Sequence, residues 1–365
     1  MRRSLLDWYD NNRRILPWRE DPAPYHVWIS EIMLQQTRVE AVKGYYERFL
    51  KTFPDVKSLA KAKEDEYLKV WEGLGYYSRV RNMHRAAVQI AEEYGGEIPA
   101  SYEELKKLPG IGPYTAAAIA SIAFGECVPA VDGNLLRVFA RMTGWRESIA
   151  ETKTKKAAER YFQEIFEEKT AKGKTGSAAR NVPGDCNQAL MDLGAAVCLP
   201  NAQPLCEKCP WKKDCVSHRN HEETAYPVMP EKAARRIEAK TVFIILTAEK
   251  ALLHKRPARG LLAGLYEFPN TEGELSRKEA RDFIRLLGLS PLRIKALEKA
   301  VHIFTHKEWH MTGYEVRVDE PEAEEAETRK RLHRDGFVFA DRKDVLTTYP
   351  IPSAFRVYSD HFLHL

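Results

Sequence analysis

The chain has 365 residues, 44% hydrophobic and 30% charged, with a net charge of +5. Residues 1–220 carry 33 Lys/Arg against 29 Asp/Glu and the remainder 24 against 23, which excludes a grip on nucleic acid through bulk charge and leaves only a local patch. No apolar run approaches the length of a membrane span and Met1–Trp8 lacks the apolar core of a signal peptide, so a soluble, cytoplasmic protein is expected. The length and apolar content suffice for two cores.

Residues 1–220 read almost wholly as helices. Ile32, Val39, Tyr46 and Phe49 predict the apolar face of one long helix, with Ser30 or a neighbour as its cap and Glu31 in its first turn, where a carboxylate favours the positive helix end. Val80, Met83, Ala87, Ile90 and Tyr94 predict a second, stopped by Gly95-Gly96. Leu108-Pro109-Gly110-Ile111-Gly112-Pro113-Tyr114-Thr115 joins a short helix to an apolar one at Thr115–Phe124, and Val131–Val138 opens another with Asp132 as candidate N-cap. Lys169–Asp185 reads as a basic, flexible loop. A change of composition at His221–Lys240, with Pro227, Pro230, Lys232, Arg235 and Arg236, marks a linker. Strands are expected at Thr241–Thr247, Ala251–Lys255, Ala300–Phe304 and Tyr314–Val318, with a helix at Ser276–Leu287 and solvated surface at Asp319–Arg334. No repeat of fixed period is present. The expected organisation is a helical domain over 1–220, a linker over 221–238 and an α+β domain over 239–365.

Three motifs carry chemistry. In the Leu108–Thr115 turn, Gly110 and Gly112 would let backbone N–H groups approach an anion at a helix start; an ordinary tight connection is the plainer reading of a Gly-x-Gly turn. Cys198, Cys206, Cys209 and Cys215, separated by seven, two and five residues, offer four thiolates for zinc or for a 4Fe–4S cluster; in a reducing compartment metal is favoured over disulfides. Lys208, Lys212 and Lys213 on the same segment either touch a phosphate backbone or are simply solvated. The third motif is Ser30-Glu31-Ile32-Met33-Leu34-Gln35-Gln36-Thr37.

Hairpin, apolar helix and Asp132-Gly133-Asn134 followed by Arg137 together resemble the helix-hairpin-helix glycosylase superfamily. The cysteine spacing is similar to the cluster loop of its endonuclease-III-like members, with one residue more in the first gap. The Ser30–Thr37 run, Leu16-Pro17-Trp18-Arg19 and Gly73-Leu74-Gly75-Tyr76-Tyr77-Ser78-Arg79 resemble the MutY adenine glycosylases, and the matches span most of residues 4–215. The resemblance implies an all-α glycosylase domain with a 4Fe–4S cluster on the four cysteines. Its partner would be duplex DNA carrying adenine opposite 8-oxoguanine or guanine. The protein would be a monomer, cytoplasmic and nucleoid-associated.

It also implies roles. Glu31 would protonate the adenine ring nitrogen, and Asp132, with Asn134 beside it, would stay ionised next to the sugar carbon C1′. Where bifunctional relatives have a lysine that forms a Schiff base and nicks the strand, this chain has Tyr114, implying base release without strand cleavage. A base can be cut only outside the stack. Arg14, Leu16, Trp18, Arg19, Leu34, Val39 and Gln188 would line its pocket, while Gln36, Leu74 and Tyr76 would fill the gap and touch the opposite base.

Gly260–Pro269 resembles the MutT-like (Nudix) domain of the same family. The Arg-Glu-x-x-Glu-Glu cluster of true Nudix hydrolases is absent; Glu279-Ala280-Arg281-Asp282-Phe283 stands after Gly264 instead. The domain would then be a reader of 8-oxoguanine, through Phe304-Thr305-His306 where the family has Phe-Ser-His; Thr305 keeps the hydroxyl and adds a methyl. The rival readings are a thymine-mismatch or damaged-pyrimidine glycosylase, a Nudix hydrolase fused to a DNA-binding module, and a non-catalytic iron–sulfur DNA-binding protein.

Overall fold

The computed structural model describes residues 1–168, 181–230, 234–319 and 326–365. The chain divides into two compact units, Met1–Lys61 with Asn82–Glu231, and Ala62–Arg81 with Lys232–Leu365. Among the described residues no helix is long and apolar enough to cross a membrane.

The first unit is helical. Its central helix, Pro113–Phe124, is apolar on every side and accordingly buried from Thr115 to Ser121. Helices Pro24–Leu34 and Val182–Ala196 pack against it. Asn187, fully buried, ties this layer together: its amide donates to Ser121 Oγ (2.8 Å) and Val128 O (2.9 Å) and accepts from the Ala130 N–H (2.8 Å). The expected long helix is instead two, Pro24–Leu34 and Val39–Thr52. The break falls where Gln36 adopts φ 56°, a left-handed value that stops a right-handed helix. Glu31 therefore lies near the end of the first helix rather than in a first turn, and Ser30 is no cap: its hydroxyl donates to Val27 O within the helix. The loop expected over Lys169–Asp185 is shorter at its C-terminal side. Asn181 caps a helix that begins at Val182, accepting from the Gly184 N–H, and residues 169–180 lie outside the described residues.

The second unit is built on a sheet of eight strands among the described residues: β1 (Arg236–Thr247), β2 (Lys250–Lys255), β3 (Tyr266–Glu267), β4 (Asn270–Glu272), β5 (Pro291–Ala296), β6 (Ala300–Ile303), β7 (Lys307–Val318) and β8 (Phe337–Ala340). The order β3-β2-β1-β7-β5 is antiparallel except for β1 against β7, which run parallel. β4 joins β1, β6 joins β7 and β8 joins β2. One face is covered by the helix Arg277–Leu286 through Ala280 and Ile284, the other by Phe355, Tyr358 and Phe362. β1 starts inside the stretch expected as a linker, because pairing to β7 from Arg236 onward extends it. Within Asp319–Arg334, expected as solvated surface, residues 326–334 form a helix that buries Leu332; 320–325 lie outside the described residues, as does Lys232 of the basic run.

Residues 62–81 also belong to this unit. Lys69 Nζ donates to Val345 O (2.9 Å) and Tyr349 O (3.1 Å) and pairs with Glu72 (2.6 Å). Glu72 accepts from the Ile351 N–H (2.8 Å), and Asp65 pairs with Lys255 (2.9 Å). The helical segment is thereby pinned to the end of the sheet by buried or half-buried polar contacts.

Candidate active site

A cavity of about 200 Å³ opens in the helical unit between the loop at 14–16, the helix ends at Leu34 and Val39, the hairpin helix and the helix Val182–Ala196. Its lining includes Glu31, Tyr114, Asp132 and Asn134, together with Arg14, Leu16, Trp18, Arg19, Leu34, Val39 and Gln188. Every residue expected in the catalytic and base-pocket sets therefore meets in one place, although the sets come from five separate stretches of chain.

The two carboxyls differ in surroundings. Glu31 is buried and accepts a hydrogen bond from Tyr114 Oη (2.8 Å). Burial pushes its carboxyl up to about 7; the Tyr114 hydrogen bond and Arg19 pull the other way, and the charge of Asp132 adds to the rise. Asp132 caps the helix Gly133–Thr143: Oδ1 accepts from the Asn134 and Leu135 N–H groups (2.9 and 2.8 Å), and Oδ2 accepts from Asn134 Nδ2 (2.8 Å). Burial raises this carboxyl too, but those three donors and Arg137 oppose the rise. The N-cap and the chemical reading of Asp132 thus coexist: the cap fixes the carboxylate at the cavity wall.

Behind Asp132 the polar contacts continue. Asn134 Oδ1 accepts from Arg137 (3.0 Å), which also donates to Gly194 O (2.7 Å) and, through Nε, to Cys198 O (2.8 Å). Arg141, one turn further on, donates to Cys198 Sγ (3.2 Å) and Leu199 O (2.8 Å). Cys198, Cys206, Cys209 and Cys215 all line one cavity under this helix, with Arg141, His218 and Glu223. Burial above all, with neighbouring cysteines and, at Cys206, Glu223 adding to it, lifts the Cys206 thiol to about 11 and the Cys209 thiol to about 12. Four cysteines lining one cavity beside a buried guanidinium suit a metal group that takes thiolate ligands, since bound metal would replace the thiol protons and the cation would offset the charge. Cys206, His218 and Glu223 also bring one ligand atom each within 4.8 Å of one another. Cys127 and Cys186 stand apart, one exposed and the other in the core.

At the hairpin, Gly110 has φ 77°, and a Cβ there would come within 2.5 Å of Asn82 Cβ, so only glycine fits. Gly112 has an ordinary extended backbone (φ −85°) and space around it; it caps the helix Pro113–Phe124 without any side chain in front of the free N–H groups.

The residues expected against the opposite base are dispersed. Gln36 belongs to the helical unit. Leu74 and Tyr76 lie in the segment of the sheet unit, in a turn where Gly73, Gly75 and Tyr76 all have positive φ. Leu74 is buried and Tyr76 half-exposed. Arg79 supports the turn by donating to Leu74 O (3.1 Å) and Gly75 O (3.0 Å), lying over the rings of Trp71 and Tyr76. Phe304, Thr305 and His306 form the β6–β7 turn, closed by Phe304 N–H to Lys307 O (2.8 Å). Phe304 packs edge-on to Trp309, and the Thr305 hydroxyl hydrogen-bonds that of Tyr76. In the region where Nudix hydrolases carry their acidic cluster, Glu279 is spent on capping the helix at Ser276.

Asp192 was not anticipated. Its side chain is 1% exposed and holds both cavity arginines: Arg14 at 2.6 Å and Arg19 at 2.7 Å. It stands four residues after Gln188, hence on the same helix face, and that spacing was the available signal.

Residues 29–168 match the model of the HhH-GPD superfamily of base excision DNA repair proteins, and residues 241–361 match that of the NUDIX domain. A solved structure, of a thermostable thymine-DNA glycosylase, is similar over 60% of this chain and 95% of its own, with TM-score 0.51 and 28% identity. Fold and site thus define a base-excision DNA glycosylase with a Nudix-fold domain. The adenine DNA glycosylase of Mus musculus is 33% identical over 99% of this chain and 78% of its own length. That of Buchnera aphidicola (Schizaphis graminum) is 33% identical over 84% of each. The chain belongs to the adenine DNA glycosylase family.

Proposed function

We propose that the protein removes adenine mispaired with 8-oxoguanine or guanine, by hydrolysis of the N-glycosidic bond and without cutting the strand. The observation that carries this is the pair of carboxyls in one cavity with opposed surroundings. Glu31, buried and held at about 7, is still partly protonated near neutrality and delivers a proton to the ring nitrogen of the leaving adenine. Asp132 accepts three hydrogen bonds that favour its charged form and, ionised, stabilises or transiently captures the sugar cation at C1′ before water completes the reaction. Tyr114 cannot form an imine; its phenol is pushed well above its ordinary value by burial and by Glu31. It acts by orienting the Glu31 carboxyl.

Arg14, Leu16, Trp18, Arg19, Leu34, Val39 and Gln188 hold the extruded adenine, and Gly110 and Gly112 leave backbone N–H groups for a phosphate. Phe304, Thr305 and His306 read the 8-oxoguanine, with Gln36, Leu74 and Tyr76 at the gap. Cys198, Cys206, Cys209 and Cys215 hold a 4Fe–4S cluster; such a cluster cross-links distant stretches of chain and here would brace the helix whose first turn carries Asp132. The substrate sits in the nucleoid, and the protein works there as a monomer.

The test offers the purified protein labelled duplexes with adenine opposite 8-oxoguanine, adenine opposite guanine, and thymine opposite guanine. Free adenine, with the strand intact until alkali is added, is expected from the first two. Release of thymine alone, strand breaks without alkali, or borohydride trapping would each overturn the reading. A broad visible absorbance lost on cluster removal separates iron–sulfur from colourless zinc.

A further inference from the structure

A third carboxyl that the proposed reaction leaves unused, Asp192, is ion-paired to two residues that line the cavity, Arg14 and Arg19. Asp192 projects from the helix Val182–Ala196 on the same face as Gln188, Met191 and Ala195, which line the cavity. Its side chain is sealed from solvent, yet it is fully satisfied. Oδ1 accepts from Arg14 Nε (2.7 Å) and Arg19 (2.9 Å), and Oδ2 accepts from Arg19 (2.7 Å) and the Arg14 backbone N–H (3.1 Å). Arg19 is itself only 12% exposed, and it lies over the ring of Tyr9. Two cations from one short stretch are thus bound to a single buried anion.

The charged and titratable groups facing Glu31 are few. They are Tyr114 from the hairpin helix, Asp132 from the cap of Gly133–Thr143, and Arg19 from the helix Pro17–Glu20. The helix Val39–Thr52 presents only Val39 to the cavity, and Val182–Ala196 presents the neutral Gln188 with Asp192 behind the arginines. Tyr9 also faces Arg19, whose guanidinium lies over its ring. Among the described residues, Arg19 is the cation whose charge acts on the acid, and it acts to strip the proton that the acid must deliver; Arg14 lines the same cavity beside it.

We infer that Asp192 is a positioning residue for base removal: it gathers Arg14 and Arg19 into one ion-paired cluster, so that they shape the base pocket without drawing the proton off Glu31. The inference rests on Glu31 being the acid of the proposed reaction. With Asp192 in place the cluster carries one net positive charge; without it the cluster carries two, and Arg19 is free to pair with Glu31 itself. The arginines keep their planar donors for an electron-rich purine edge, while most of their field closes on Asp192.

The test measures single-turnover adenine release from the adenine:8-oxoguanine duplex between pH 5 and 9 in the parent protein and three variants. Asp192→Asn is expected to move the basic limb of the profile down by about one pH unit, roughly a tenfold loss at pH 8 with rates at pH 5 within about twofold of the parent. Arg19→Gln removes the cation and moves the limb up. The double variant, Asp192→Asn with Arg19→Gln, restores the net charge and returns the limb towards the parental position. A uniform loss at all pH values in Asp192→Asn, a limb that stays in place, or both single variants shifting it the same way would overturn the role. Should Asp192→Asn fail to fold, Arg19→Gln alone decides it by whether the limb rises. A parent protein that releases no adenine sinks the reaction and this role together; a parent that does, with variants whose limbs coincide with its own, sinks the role alone.

Discussion

Glu31 and Asp132 are carboxyls of nearly the same intrinsic acidity in one cavity, and their donors and neighbouring charges separate them. Asp132 accepts three N–H groups at a helix start, whereas Glu31 accepts one phenol in an otherwise dry site. The first arrangement stabilises the charged form, and the second only partly repays its desolvation. A general acid must be protonated to act, so adenine release should be fastest below about pH 7 and fall as pH rises through that value. Glu31→Gln removes the proton donor and should lower the single-turnover rate by about 10²- to 10⁴-fold below about pH 7, the gap narrowing as the parent loses the same proton at higher pH. Tyr114→Phe removes the hydrogen bond that favours the carboxylate, so the basic limb should shift to higher pH while release persists. A downward shift in that variant, measured on the same duplex, would contradict the assigned sense of the hydrogen bond.

At the scale of elements, the cavity is placed by buried polar ties as much as by apolar packing. Asn187 joins the hairpin helix, the strand-like stretch before Asp132 and the helix that carries Gln188 and Asp192. Asn187→Ala leaves Val128 O and the Ala130 N–H buried without this partner, while Ser121 Oγ keeps its bond to Ala117 O, a cost of about 2 kcal/mol. Thermal unfolding of the variant should therefore begin several degrees lower, and a midpoint equal to the parent's would show that water replaces the amide. Such ties explain what could be read in advance. Glu31, Tyr114, Asp132 and the cysteines sit in short local patterns, and the pocket residues followed from resemblance to those patterns. The break between Leu34 and Val39 was hidden because apolar spacing runs across it, while the left-handed turn at Gln36 is a feature of tertiary packing. Asp192 carries no local mark of its role, since nothing in the neighbouring sequence announces that two distant arginines will cover it. β7 was expected from Tyr314, where both faces are buried; from Lys307 to Thr312 the alternation with exposed or half-exposed residues weakened the signal, and pairing with β1 and β6 supplies the rest.

At the scale of the whole molecule, the division of the chain does not follow the order of the sequence. Residues 62–81 read as part of the helical half, because the helix Glu64–Val70 and the glycine-rich turn after it carry no mark of their partner. Their contacts are with the sheet unit, through Lys69, Glu72 and Asp65. This places Leu74 and Tyr76 in the same unit as Phe304, Thr305 and His306, with Tyr76 hydrogen-bonded to Thr305, so the groups proposed to read the opposite base, apart from Gln36 of the helical unit, form one composite. Lys69 is the anchor to test, because it alone satisfies two main-chain carbonyls beyond its ion pair. Lys69→Met keeps the length of the side chain but leaves Val345 O and Tyr349 O without this donor and Glu72 with only the Ile351 N–H, a loss of about 2 kcal/mol. Hydrogen exchange should then quicken in residues 62–81 and in the neighbouring 342–351, while the amides of Pro113–Phe124 exchange at the parental rate. If the composite reads the opposite base, adenine release opposite 8-oxoguanine should lose its advantage over release opposite guanine. Exchange that quickens equally in both units would mean that residues 62–81 are held by the molecule at large rather than by the sheet unit.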